Sequence, residues 1–183
     1  MTSSSPIEAL ADDTRRLLVL AQAEDDFSFE LAVDLRLRRV MVVSVASLFE
    51  EQVKEIIGQF CSAASDDCAE LIALMRSQVT ARGYHTLFDW KAGNVNRFLS
   101  VFGTAFSDQG KIDIDENDDL KEGARAFVQL GALRNDLVHN NFESAPVDLT
   151  MTEILERYEQ AKLFIAYIEH QLLEVACGRA EEK

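Results

Sequence analysis

The sequence is short of the residues that interrupt helices. Across 183 residues it has two prolines, Pro6 and Pro146, and eight glycines. A chain of many short strands needs frequent turns and uses more of both, so the shortage argues against an all-β fold and leans towards helices. Cysteine is scarce as well: Cys61, Cys68 and Cys177 are three in number, with no C-x-x-C spacing. That excludes a disulfide framework and reads as reduced thiols in a cytoplasmic protein. No apolar run approaches the roughly 18 residues of a membrane span. Residues 1–13 lack the basic region and apolar stretch of a signal peptide. Positive charge is in deficit, with a net charge of −14. Broad contact with nucleic-acid phosphates needs clustered Lys and Arg, so any such role must be confined to a local basic cleft or delivered by a partner.

What is present is helical rhythm. Residues 1–6 read as a leader, followed by a helix over 7–23 and an acidic break at Glu24, Asp25 and Asp26. A long second helix is predicted from Phe29 to Ala64. Its stripe includes Leu37, Val40, Met41, Val45, Leu48, Val53, Ile56 and Ile57 at core-facing spacings. Ser65 is expected to cap a third helix from Asp66 to Thr80. Gly83 and the aromatic residues Tyr84, Phe88 and Trp90 read as a connector. A short helix is expected from Asn94 to Gly103, and an irregular stretch from Phe106 to Asn117. Asn117 then caps a helix from Asp118 to His139. Thr150 or Thr152 opens a last helix running to Ala176 and stopping at Gly178. The expected architecture is an all-α, up-and-down bundle of about five or six helices with a short-helix insertion. Its domain spans 29–178, after an N-terminal leader and helix over 1–28 and before a tail over 179–183.

Most familiar site patterns fail. Asp113, Asp115 and Asn117 open like a calcium-binding loop, but its sixth position is Asp118 where Gly is needed, and its twelfth is Ala124 where Glu is needed. His85, His139 and His170 share no metal-ligand spacing with the cysteines, and there is no GxxxxGK or GxGxxG. No metal and no cofactor is therefore expected. Arg36, Arg38 and Arg39 form the densest positive cluster, with Arg15 and Arg16 as possible neighbours. The cluster reads either as a solvated face balancing carboxylates or as a phosphate-contacting patch.

The informative helix is 118–139. Phe127, Leu130, Leu133 and Leu137 form one apolar stripe, and Arg134 falls inside that arc. A permanently charged guanidinium belongs in such a stripe only when it is paired or lines a cleft. His139 projects from a different side, near the helix end. Asn135 stands one turn before it, within reach to hold its imidazole. Asp136 is a candidate partner for an arginine, and Asn140 and Asn141 present further polar groups. These residues read as a phosphate site or as a structural ion pair beside a histidine at the helix C-terminus, and residue chemistry alone slightly favours the structural reading.

The run Arg134-Asn135-Asp136-Leu137-Val138-His139 resembles the R-x4–6-H ribonuclease motif of HEPN domains, with Asn in the polar position after the Arg. The long early helix, the aromatic middle and the long closing helix are most similar to the RiboL-PSP or MAE_28990-like branch, over about residues 30–175. The resemblance implies a homodimer in which two motif helices face each other and line one cleft. It also implies metal-independent RNA cleavage, with Arg134 and His139 catalytic and Asn135, Asp136, Asn140 and Asn141 in support. It further implies a toxin or abortive-infection role in anti-phage defence, on single-stranded RNA or tRNA, beside an antitoxin or other defence partner. Some toxin branches carry a Tyr two residues after the His; Asn141 stands there in this chain. The alternative is a weak or inactive helical module for protein interaction or nucleotide binding.

Overall fold

A computed structural model describes residues 5–80, 83–140, 142–143 and 145–181, and among these the chain is helical throughout, without strands. The helices are α1 (Pro6–Gln22), α2 (Phe27–Ala64), α3 (Ala69–Met75), α4 (Tyr84–Leu87), α5 (Asn96–Val101), α6 (Thr104–Glu116), α7 (Asp118–His139) and α8 (Met151–Glu181), with a π-helical turn at Arg76–Thr80. None of them is long and apolar enough to cross a membrane. The core is the seam of the three long helices. Met41, Val45, Phe49 and Val53 of α2 meet Phe127, Leu130 and Leu137 of α7 and Ile154, Phe164, Ile168 and Leu172 of α8, all buried. Each such side chain contributes about 1.5–3 kcal/mol when fully removed from water. Helix α1 lies along α2 and adds Ile7 and Ala11 to the same core.

Capping chemistry fixes several boundaries. In α1, Ser5 Oγ accepts from the Glu8 amide at 3.1 Å, and the Glu8 carboxylate accepts from the Ser5 amide at 2.8 Å. The same reciprocal pair opens α8: Thr150 Oγ1 accepts from Glu153 N at 3.2 Å, and Glu153 Oε2 accepts from Thr150 N at 2.7 Å. Asn117 Oδ1 accepts from Leu120 N at 3.0 Å, and α7 runs over the expected residues.

Several expectations are corrected. Residues 106–117 are not irregular but form most of α6. Phe106, Gly110 and Ile114, one turn apart, face inward, and Gly110 lies under Leu99. Packing makes this charge-rich segment helical where its own pattern is weak. Ser65 does not open α3. Asp66 and Asp67 take φ of 50° and 57°, which interrupts the helix, and the Ser65 hydroxyl donates to the Cys61 carbonyl at 2.6 Å, closing α2. Helix α8 continues past Gly178 to Glu181.

The aromatic segment proves to be core rather than a connector. Phe88 stacks on Phe98 at 4.7 Å and approaches Trp90 at 4.9 Å and Phe127 at 5.0 Å. Trp90 presses on α7 at Gly131, where a Cβ would lie 1.9 Å from the indole Cζ3. Only glycine leaves room for this wedge. Tyr84 and Leu87 are the buried side of the short α4, which turns His85 outward beside the end of α7.

Candidate active site

Arg134 is the centre of a cluster that three elements assemble. Its side chain is 18% exposed and its Nη2 pairs with Glu50 of α2 at 3.3 Å, the carboxylate itself being 16% exposed. Glu50 also holds Lys54, one turn on, at 2.5 Å, and Lys54 lies 5.6 Å from the Tyr84 ring centre. Arg134 Nη1 donates to Asn135 Oδ1 at 3.2 Å. The same Nη1 lies 3.4 Å from Nδ1 and 3.3 Å from Nε2 of His85. A group equidistant from both ring nitrogens lies in the plane that bisects the line between them, and within the ring plane that position is blocked by ring carbon at these distances. Nη1 of Arg134 therefore sits over the imidazole face, and among the described residues no other side chain hydrogen-bonds the two nitrogens.

Electrostatics extend the cluster to His139. Burial holds the His85 imidazole below its ordinary pKa, and the Arg134 charge lowers it further. Glu50 opposes this, while His139 and Lys54 add to the depression. His139, exposed at the last residue of α7, is thus within electrostatic range of His85. Burial, and then the Glu50 charge, pushes the Tyr84 phenol well above its usual range, so it stays a neutral wall. Phe49, Trp90, Phe127 and Gly131 floor the depression, with Glu50, His85, Arg134 and Asn135 at its rim. The cavity is about 10 Å³, room for about one water. A ligand larger than that must lie across the mouth.

The sequence-predicted residues separate into two groups. Arg134 is paired and lines a cleft, as a guanidinium in an apolar stripe requires. Asn135 serves Arg134 by its hydrogen bond. Asp136 is exposed, and Glu50 rather than Asp136 takes the arginine. Asn140 caps α7, its amide donating to the Asp136 carbonyl at 3.0 Å; Asn141 lies outside the described residues.

The basic cluster on α2 is tied to the loop that follows α7. Arg39 is buried at 8% exposure and its Nε donates to the Ala145 carbonyl at 3.2 Å. Arg38 pairs with Asp34 and reaches the Leu149 carbonyl at 3.4 Å. Arg36 lies 3.7 Å from Glu143. Arg15 and Arg16 pair with Asp12 and Asp13 on the surface of α1. The carboxylates of the calcium-like run are engaged too: Asp113 accepts from the Tyr167 hydroxyl at 2.6 Å, and Asp115 pairs with Lys121 at 2.9 Å.

Sequence spacing missed Glu50 and His85 as site residues. They lie 84 and 49 positions from Arg134, so only the packing of α2 and α4 on α7 brings them there. The one available signal was the unpaired guanidinium in the apolar stripe, which demanded a carboxylate from somewhere.

An all-α bundle of this kind is the architecture of the HEPN class. The chain belongs to the RiboL-PSP-HEPN family, whose model matches residues 8–174. Neither curated proteins nor solved structures give a significant match.

Proposed function

We propose that this protein is a metal-independent endoribonuclease in which Arg134 and His139 act on RNA at the cleft between two copies of the chain. The observation that carries the reading is the half-buried Arg134 guanidinium, held at the mouth of a shallow depression beside exposed imidazoles. Arg134 stabilises the charge that develops on the phosphorane. His139 moves a proton at the 2′-hydroxyl or at the leaving oxygen. Asn135 orients Arg134. Single-stranded RNA or the exposed loop of a tRNA is the fitting substrate, since its 2′-hydroxyl and phosphates are reachable from a surface cleft. Cytoplasmic toxicity in abortive infection, restrained by a partner protein, is the cellular role this chemistry serves. On a chain of net charge −14, two cations, Arg134 and Lys54, share the one carboxylate of Glu50 at the site.

Purified protein should cleave single-stranded RNA in EDTA and leave 2′,3′-cyclic phosphate ends; cleavage undiminished in His139→Ala would sink the assignment. Mixing Arg134→Ala with His139→Ala tests the shared cleft. Mixed dimers regain activity when each copy contributes residues to one centre, and stay inactive when each chain works alone. A second reading, a non-enzymatic interaction module, draws on the Glu50–Arg134 pair, which is also what a structural arginine looks like. Under it, both substitutions lower the melting temperature and leave expression toxicity unchanged.

A further inference from the structure

The proposed ribonuclease reaction needs two proton transfers, and each copy of the R-x4-H motif brings one histidine to the cleft. From the contact of Arg134 Nη1 with the face of an exposed imidazole at the rim of the depression, we infer that His85 is a catalytic residue of this site, the general base that deprotonates the 2′-hydroxyl, leaving His139 as the general acid. The inference rests on the ribonuclease reading and assigns its two proton transfers to separate histidines.

Position and accessibility select His85. It comes from α4 and meets Nη1 of Arg134 while Glu50 takes Nη2, and it is exposed while its neighbours Tyr84 and Leu87 are buried. The arginine bound for phosphate thus has one imidazole directly against it, and His139 stands exposed at the end of the same helix. The charged and titratable groups facing His85 are Glu50 and Lys54 from α2, Arg134 and His139 from α7, and Tyr84 from its own helix. Their sum, with burial, favours the neutral imidazole at neutral pH, the form a base requires.

The step balances without a co-reactant. A His85 ring nitrogen takes the proton as the O2′–H bond breaks, and O2′ bonds to phosphorus. The P–O5′ bond breaks, and O5′ receives a proton from His139. The products are a 2′,3′-cyclic phosphate and a 5′-hydroxyl end, and water returns the two histidines to their starting protonation.

The test uses the full-length protein and two probes: a labelled mixed-sequence single-stranded oligoribonucleotide, and the same strand with sulfur replacing the bridging O5′ at one linkage. A thiolate leaves without protonation, so the sulfur substrate needs the base but not the acid. On the ordinary strand, His85→Ala should lose about 100-fold or more in kcat, and the acidic limb of the pH–rate profile should vanish. On the sulfur strand His139→Ala should recover most of its loss, and His85→Ala should recover none. His85→Gln, which keeps size and polarity, should behave like His85→Ala, with melting temperatures of both near wild type. Wild-type cleavage by His85→Ala overturns the inference and leaves the ribonuclease reading standing. So does a loss confined to KM with the acidic limb intact, or recovery of His85→Ala on the sulfur strand. Wild-type cleavage by His139→Ala, or no cleavage by the wild type, overturns the ribonuclease reading and this inference together.

Discussion

Arg39 and Arg134 are both removed from most solvent, yet they are treated differently. Arg39, buried on α2, donates to a backbone carbonyl of the loop after α7. Arg134, near the end of α7, is held by a carboxylate on one side and an imidazole on the other, at an open mouth. A guanidinium that satisfies a carbonyl is structural, because an abandoned buried carbonyl costs about 1–3 kcal/mol. A guanidinium held by exchangeable side-chain partners can hand its edge to an arriving phosphate. Burial alone does not separate a structural arginine from a reactive one; the partner does.

Substitutions can break this contrast or sharpen it. The largest effect on stability should come from Arg39→Ala, at about 2–3 kcal/mol in denaturant unfolding, because it strands the Ala145 carbonyl and removes a buried side-chain stem. A loss below that of Arg134→Ala would reverse the contrast. Glu50→Gln comes next. Removing the carboxylate frees the Arg134 edge for phosphate and should lower KM for single-stranded RNA a few-fold. Because Glu50 raises the His85 pKa, the acidic limb of the rate profile should also move to lower pH; a shift to higher pH contradicts this electrostatic arrangement.

A smaller effect concerns pH and stability. His85 binds its proton less readily in the folded chain than in the unfolded one. Its contribution to stability is therefore present above the unfolded pKa of about 6.5 and declines as pH falls below it. Wild type should lose slightly more melting temperature than His85→Gln between neutral pH and pH 5.5. Arg36→Ala should do least: both partners of its ion pair with Glu143 are mostly exposed, so the change should stay within about 0.5 kcal/mol.

Much of the fold was legible because it follows periodicity and capping. Asn117 and the apolar stripe marked α7, and the long repeat through Val40–Val45 overrode the local β-branched character. Helix α6 was not legible: its few apolar residues, Phe106, Ile112 and Ile114, give a weak pattern, and its packing on Leu99 decides the outcome. Ser65 looked like a cap, but the left-handed turn at Asp66 and Asp67 lies outside what residue type alone signals. In the site, Arg134 and His139 were visible as a local motif. Glu50 and His85 were not, because they arrive through long-range packing. The aromatic wedge that delivers His85 could be recognised only as a cluster of large rings, since its seat at Gly131 lies on another helix.

The most direct test compares RNA cleavage in EDTA by wild type and Arg134→Ala, with unfolding of both followed on the same preparations. The account predicts 2′,3′-cyclic phosphate ends from wild type. It also predicts a fall of at least about 100-fold in Arg134→Ala, with a loss of stability smaller than that of Arg39→Ala, because Lys54 still pairs with Glu50. Equal cleavage by the two proteins, or a loss of activity that merely follows a loss of fold, would contradict it.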